Sequence, residues 1–189
     1  MLVEIREERP ADVAAVREVN RRAFEQERES NIVDALRANG GALLSLVATI
    51  DDQVVGHVMY SRVSVGDMVN GAALGPMAVL PEHQRQGIGT RLIDTANQKI
   101  KDAGYPFIIV VGHAEYYPRF GFRPAGKYGI KCEGCSRRGL HGADARCSEN
   151  AGCGRIGQVS GRIFDNMLAS ARESLFGILL ILSNKRWPC

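Results

Sequence analysis

No cysteine precedes Cys132, and all five cysteines lie at or beyond it. The first two thirds of the chain therefore cannot rest on disulfides or on a cysteine-ligated metal. Aromatics are scarce at 6 %, with one tryptophan, and the net charge is only +3. A basic stripe interleaved with aromatics is missing, which argues against nucleic-acid binding. The longest late apolar run, Phe176 to Leu182, is too short to span a bilayer. Glu4, Arg6, Glu7, Glu8 and Arg9 interrupt any apolar leader at the start. The expectation is a cytoplasmic protein with no membrane and no nucleic-acid partner. Two phosphate-binding fingerprints are also lacking. No Gly-Lys-Ser/Thr follows a glycine loop, and the third glycine of the dinucleotide motif is absent.

At 189 residues the chain is long enough to bury a core as one domain. Leu2, Val3 and Ile5 predict a first strand. Pro10 suits a helix start, and Val13, Val16, Val19, Asn20 and Phe24 repeat at helical spacing. Ser30 is a candidate cap for a second helix through Ile32, Val33, Leu36 and Arg37, ended by Gly40-Gly41. Leu43 to Ile50, a turn at Asp51-Asp52-Gln53, Val54 to Val65, a turn at Gly66-Asp67 and Ala72 to Leu80 predict three antiparallel strands. Gly56 within the second predicts a bulge or a close backbone approach. Ile88, Leu92, Ile93, Ala96 and Ile100 mark one face of a long helix, stopped near Gly104. Pro106 to Val111 is a buried strand, parallel to the strand before the helix.

The most informative stretch is LGPMAVLPEHQRQGIG, Leu74 to Gly89. An apolar strand is closed by Pro81, and a glycine-punctuated loop then opens the long helix. Unsatisfied backbone N–H groups at a helix start, glycines that allow close approach and the adjacent Arg85 make an anion site. The best fit is a cradle for a pyrophosphate.

The pattern Gln84-x-x-Gly87-x-Gly89 after a strand, together with Tyr117, Gly121 and Phe122 in GHAEYYPRFGF, resembles the GNAT N-acetyltransferase superfamily from Leu2 to Glu133. The resemblance implies an α/β (α+β) fold. Its sheet is mixed and mostly antiparallel, with a splayed parallel strand pair and flanking helices. It implies acetyl-CoA as cosubstrate, no metal, and a primary amine on a small molecule or a protein as acceptor. Met77, Ala78 and Val79 would lie along the pantetheine arm. Gln84, Arg85, Gln86, Gly87, Ile88, Gly89 and Thr90 would hold the pyrophosphate, and Gly112 and His113 would lie where the strands part. Tyr117 matches the family's general acid, and the Val79 N–H is placed to bind the developing oxyanion. A phenol near pKa 10 suits a thiol near about 8.5. Glu29, His57, His113 and Glu115 are candidate bases. Tyr116 reads equally well as a packing aromatic, and Arg119 as a local ion-pair or phosphate partner. An acyl-CoA-binding or regulatory module without catalysis is the alternative on the same scaffold.

Past Glu133 the resemblance stops. Gly134 to Cys189 forms an atypical tail, rich in Gly, Cys and Arg. Codons available for Gly134 to Arg146, read one nucleotide out of register, spell Val-Val-Pro-Asp-Glu-Ala-Phe-Met-Ala-Leu-Met-Leu, which resembles the family's next strand. A frameshift is therefore the expected origin of the tail, and altered or missing last strands of the sheet its expected consequence. Cys132, Cys135, His141, Cys147 and Cys153 give the rival reading of a zinc site. Phe164, Met167, Leu168, Ala171, Leu175, Leu179 and Leu182 share one face of a predicted amphipathic helix over Ile163 to Leu182. That face could cover a sheet edge or join two copies as a homodimer.

Overall fold

Alternating side chains divide the buried residues between the two faces of one sheet. The computed structural model describes residues 2–65, 68–113 and 115–128, with the strands Val159–Ser160 and Ile178–Ser183. β1 is Glu4–Glu7, β2 Ala42–Ile50, β3 Gln53–Val65, β4 Met68–Val79 and β5 Phe107–Gly112. β6 is Arg123–Pro124, β7 Val159–Ser160 and β8 Ile178–Ser183. Their order in the sheet is β1-β2-β3-β4-β5-β8-β6, with β7 on the far end of β3. Every pairing is antiparallel except β4 with β5. The fold is α+β.

Helix α3, Ile88–Asp102, covers one face. Its buried residues are Ile88, Leu92, Ile93, Ala96 and Ile100, the stripe read from the sequence. They pack on Leu46, Ala48, Val58, Tyr60 and Leu74. Gly56 lets the helix come close, because a Cβ there would lie 3.1 Å from Leu92 Cδ1. The register of β2 on β3 also shifts beside it. Both expectations for Gly56 are met. α1, Val13–Phe24, and α2, Arg28–Ala38, cover the other face, where Val16, Val33, Leu36, Val47 and Met59 cluster.

Three local expectations change. Val13 and Phe24 are exposed at the ends of the α1 stripe. Ser30 is no cap: α2 begins earlier, at Arg28, and Ser30 Oγ donates to Arg17 O of α1 at 3.0 Å. The tail segment Ile178–Ser183 is extended, where a helix was expected to end. An apolar run this short fits either period, and the open edge of β5 decides it by pairing from Phe107↔Ser183 to Gly112↔Ile178. The last strands of the sheet, expected to be altered or missing, thus include one supplied by the tail. The rest of the predicted tail helix, the cysteine cluster and the Gly66-Asp67 turn lie outside the described residues.

Candidate active site

The β4–α3 junction is built by two residues with positive φ. Arg85 (φ 58°) and Gly87 (φ 82°) flank Gln86 and curl the loop into a concave nest of amides. Gly87 is the N-cap of α3 and offers no side chain to the first turn. The first helical amide with a partner is that of Arg91, bonded to Gly87 O at 3.0 Å. Gly87, Ile88, Gly89 and Thr90 keep amides with no acceptor among the described residues. Gln84 differs from its expected role. Its N–H is tied to Pro81 O at 3.3 Å, and its Nε2 donates to Val79 O at 3.0 Å. It braces the loop and is not one of the open amides. Gln86 Nε2 similarly holds Glu82 O at 3.1 Å.

A groove opens beside this loop because β4 and β5 part. They pair only at Ala72↔Ile108, Ala73↔Ile109 and Leu74↔Val110. Beyond Leu74 comes Gly75-Pro76, where the register against β3 jumps from Tyr60↔Leu74 to Val58↔Met77. That bulge bends β4, and Pro76 has no N–H for a neighbour. The sequence reading passed over this dipeptide, although a proline inside a central strand pattern is the signal for it. Leu80 N donates to Val55 O at 2.9 Å, and β4 pairs His57↔Ala78 two residues earlier. Alternation in an antiparallel ladder then turns the backbone of Ala78 toward β3 and that of Met77 and Val79 toward the groove. Ala78, expected along the pantetheine arm, has its backbone groups spent on the sheet.

Two tyrosines meet at the groove. Tyr117 opens the 3₁₀ turn Tyr117–Phe120 and is buried with Phe122 in the α3-side core. Its ring lies over Gly112, where a Cβ would be 2.2 Å from Tyr117 Cε2. Burial raises the Tyr117 phenol well above its ordinary value. It is thus a fixed hydrogen-bond donor, less matched to a thiol than an exposed phenol. Tyr116 stands edge-on to Tyr117, with centroids 5.2 Å apart at 86°. Its hydroxyl reaches the first turn of α3, 3.1 Å from where a Gly89 Cβ would sit.

Residues 42–124 match the family model of the acetyltransferase (GNAT) domain. The uncharacterized N-acetyltransferase YhbS of Escherichia coli is 34% identical over 130 residues, which cover 68% of this chain and 78% of that protein. The chain belongs to the GNAT acetyltransferase family. The uncharacterized N-acetyltransferase YjhQ of Escherichia coli (strain K12) is 39% identical over 119 residues, 60% of this chain and 66% of YjhQ. A GNAT family acetyltransferase from Brucella melitensis, solved in complex with acetyl-CoA, superposes with a TM-score of 0.63 at 41% identity. It covers 65% of this chain and 83% of its own. YhbS solved with CoA gives a TM-score of 0.67 at 33% identity, over 69% of this chain and 74% of YhbS.

Within this GNAT domain the four candidate bases fall in different places. His57 is fully buried on the α1–α2 face, away from the groove. Asn20 Nδ2 approaches its Nδ1 at 3.0 Å and Ser45 Oγ its Nε2 at 3.0 Å. Burial, with Arg37 nearby, lowers it to about 3. A ring with both nitrogens engaged and no exposure cannot serve an acceptor amine. Glu29 is buried in α2, where Gln26 Nε2 donates to it at 3.1 Å. His113 and Glu115 are exposed beside Tyr117, at the end of β5. Among the described residues no helix is long and apolar enough to cross a membrane.

Proposed function

We propose that this GNAT domain moves an acetyl group from acetyl-CoA to a primary amine by direct attack. The observation that carries the reading is the row of open amides from Gly87 to Thr90 beside the groove between β4 and β5. The residues fit the cosubstrate. The nest and helix start suit a diphosphate, Gly87 faces open space at the loop, and the backbone edge of Met77 and Val79 suits an amide-bearing arm.

The amine nitrogen attacks the thioester carbon, the C–N bond forms and the C–S bond breaks. The electron pair of that bond stays on sulfur. Charge building on the carbonyl oxygen is met by an open β4 amide, that of Val79 or, deeper in the groove, that of Met77. Tyr117 hydrogen-bonds the departing sulfur. Its raised phenol favours stabilising the thiolate over handing it the proton outright, so the thiolate is protonated from solvent. The amine sheds its proton to water, with His113 and Glu115 at the mouth as candidate relays.

Calorimetry is expected to show CoA and acetyl-CoA binding, and a panel of small amines and peptides to release free CoA thiol. Tyr117→Phe removes a donor to the developing thiolate and is expected to lower kcat by about 100-fold with CoA affinity nearly kept. Binding with no turnover on any amine, untouched by Tyr117→Phe, would return the chain to a CoA-binding module. No CoA binding at all would remove the reading.

A further inference from the structure

Tyr116 has no role in the transfer described above, yet its hydroxyl lies at the first turn of α3. An ideal Cβ on Gly89 would be 3.1 Å from Tyr116 Oη and 3.4 Å from Met77 Sδ. Burial raises the Tyr116 phenol, and Arg119 and the nearby Thr90 hydroxyl draw it part of the way back. It therefore touches the helix where the amides of Gly89 and Thr90 lack acceptors. The ring is held from three sides. Arg119 packs its guanidinium 4.3 Å from the Tyr116 centroid and donates Nε to Tyr116 O at 2.9 Å. Phe120 lies 5.4 Å away, and Tyr117 supports the far edge.

A phenol carries one O–H donor, and that of Tyr116 lies at the same turn as the open amides. The guanidinium stacked on the ring draws the phenol toward donation.

We propose that Tyr116, backed by Arg119, is a binding residue for the diphosphate of the cosubstrate. It closes the cradle from the side opposite Arg85 to Gly87. The inference rests on the acetyl-CoA reading and assigns the two adjacent tyrosines different tasks. Tyr117 serves the sulfur end and Tyr116 the phosphate end.

The test compares wild type with Tyr116→Phe against CoA, 3′-dephospho-CoA and pantetheine, which carries no phosphate. The expected result is about ten-fold weaker binding of CoA and of dephospho-CoA, with pantetheine unchanged. Unchanged CoA affinity in Tyr116→Phe overturns the proposal, as does an equal loss on pantetheine. If wild type itself binds no CoA, the acetyl-CoA reading fails together with it. Normal wild-type binding with an indifferent Tyr116→Phe sinks only the assignment of Tyr116.

Discussion

A methyl group at position 112 would sit 2.2 Å from Tyr117 Cε2 and 3.0 Å from Cδ2. No rotation of a ring sandwiched by Tyr116, Phe120 and Phe122 relieves that overlap, so the ring or the end of β5 must move. Displacing a catalytic group by about 1 Å costs on the order of 100-fold in rate. Gly112→Ala is therefore expected to lower kcat nearly as far as Tyr117→Phe, with CoA affinity changed less than about three-fold. Steady-state kinetics beside calorimetry check this, and full activity in Gly112→Ala would show that Tyr117 is not held by this contact. Sequence did mark Gly112, but for the space a cofactor needs. The structure shows the space belongs to a tyrosine five positions on, a contact set by the turn between them, which Tyr116 N closes on His113 O at 3.1 Å. Sequence separated the two tyrosines only through the motif that marks Tyr117; that the Tyr116 hydroxyl reaches the first turn of α3 depends on tertiary packing, which no local pattern encodes.

Between elements, a buried polar chain fastens the α1–α2 layer to the sheet. Asn20 Nδ2 donates to Val16 O at 2.8 Å and also to His57 Nδ1, which puts the imidazole proton on Nε2. Nε2–H then donates to Ser45 Oγ, and Ser45 donates to Glu8 Oε2. Arg37 of α2 closes the chain on Glu8 Oε1 at 2.6 Å. The chain ties β2, β3 and the residue just past β1 to both helices. His57, with a folded pKa of about 3 against 6.5 unfolded, makes the clasp acid-sensitive. Below about pH 6.5 the unfolded chain binds a proton that the folded chain refuses, so stability falls as pH drops toward 3. The loss across that window is on the order of 4 kcal/mol. Asp12, held at about 2 by Arg6, adds its own loss only below about pH 4. In His57→Gln the melting temperature is expected to be lower at pH 7 but nearly flat from pH 6.5 to 4.5, where wild type declines. A parallel decline in both would dismiss His57 as the source. Helix α3 was fully legible because its apolar stripe alone satisfies the period. α2 was legible only in part, since its start depends on Ser30 reaching α1, a contact no local pattern encodes.

For the whole molecule, the decisive element comes from the segment with least resemblance to the family. The curated relatives match 60% and 68% of the chain, and Ile178–Ser183 supplies the strand between β5 and β6. Without it, β5 would present an unpaired edge of apolar Phe107 to Val111, a template for association. Composition and period could not show this. A five-residue apolar run has no preference strong enough to outvote the partner it meets, and the partner lies about 70 positions away in sequence. Ile181 pairs with Ile109 on one side and with Arg123 on the other. Ile181→Pro removes an N–H from the ladder and forces the backbone at its centre, at a cost of roughly 3 kcal/mol or more. In a chain of this length that lowers the melting temperature by about 6–12 °C. The nest and the open edge of β4 lie outside the β5–β8 pairing, so the CoA-induced rise in melting temperature is expected to survive at reduced temperature. Acetyl transfer, which the proposed mechanism makes depend on Tyr117 held over the end of β5, is expected to fall further than CoA binding. An unaltered melting curve in Ile181→Pro would mean that β5 finds its cover elsewhere, and equal losses of binding and transfer would mean that the cradle and the β5 edge are not separable.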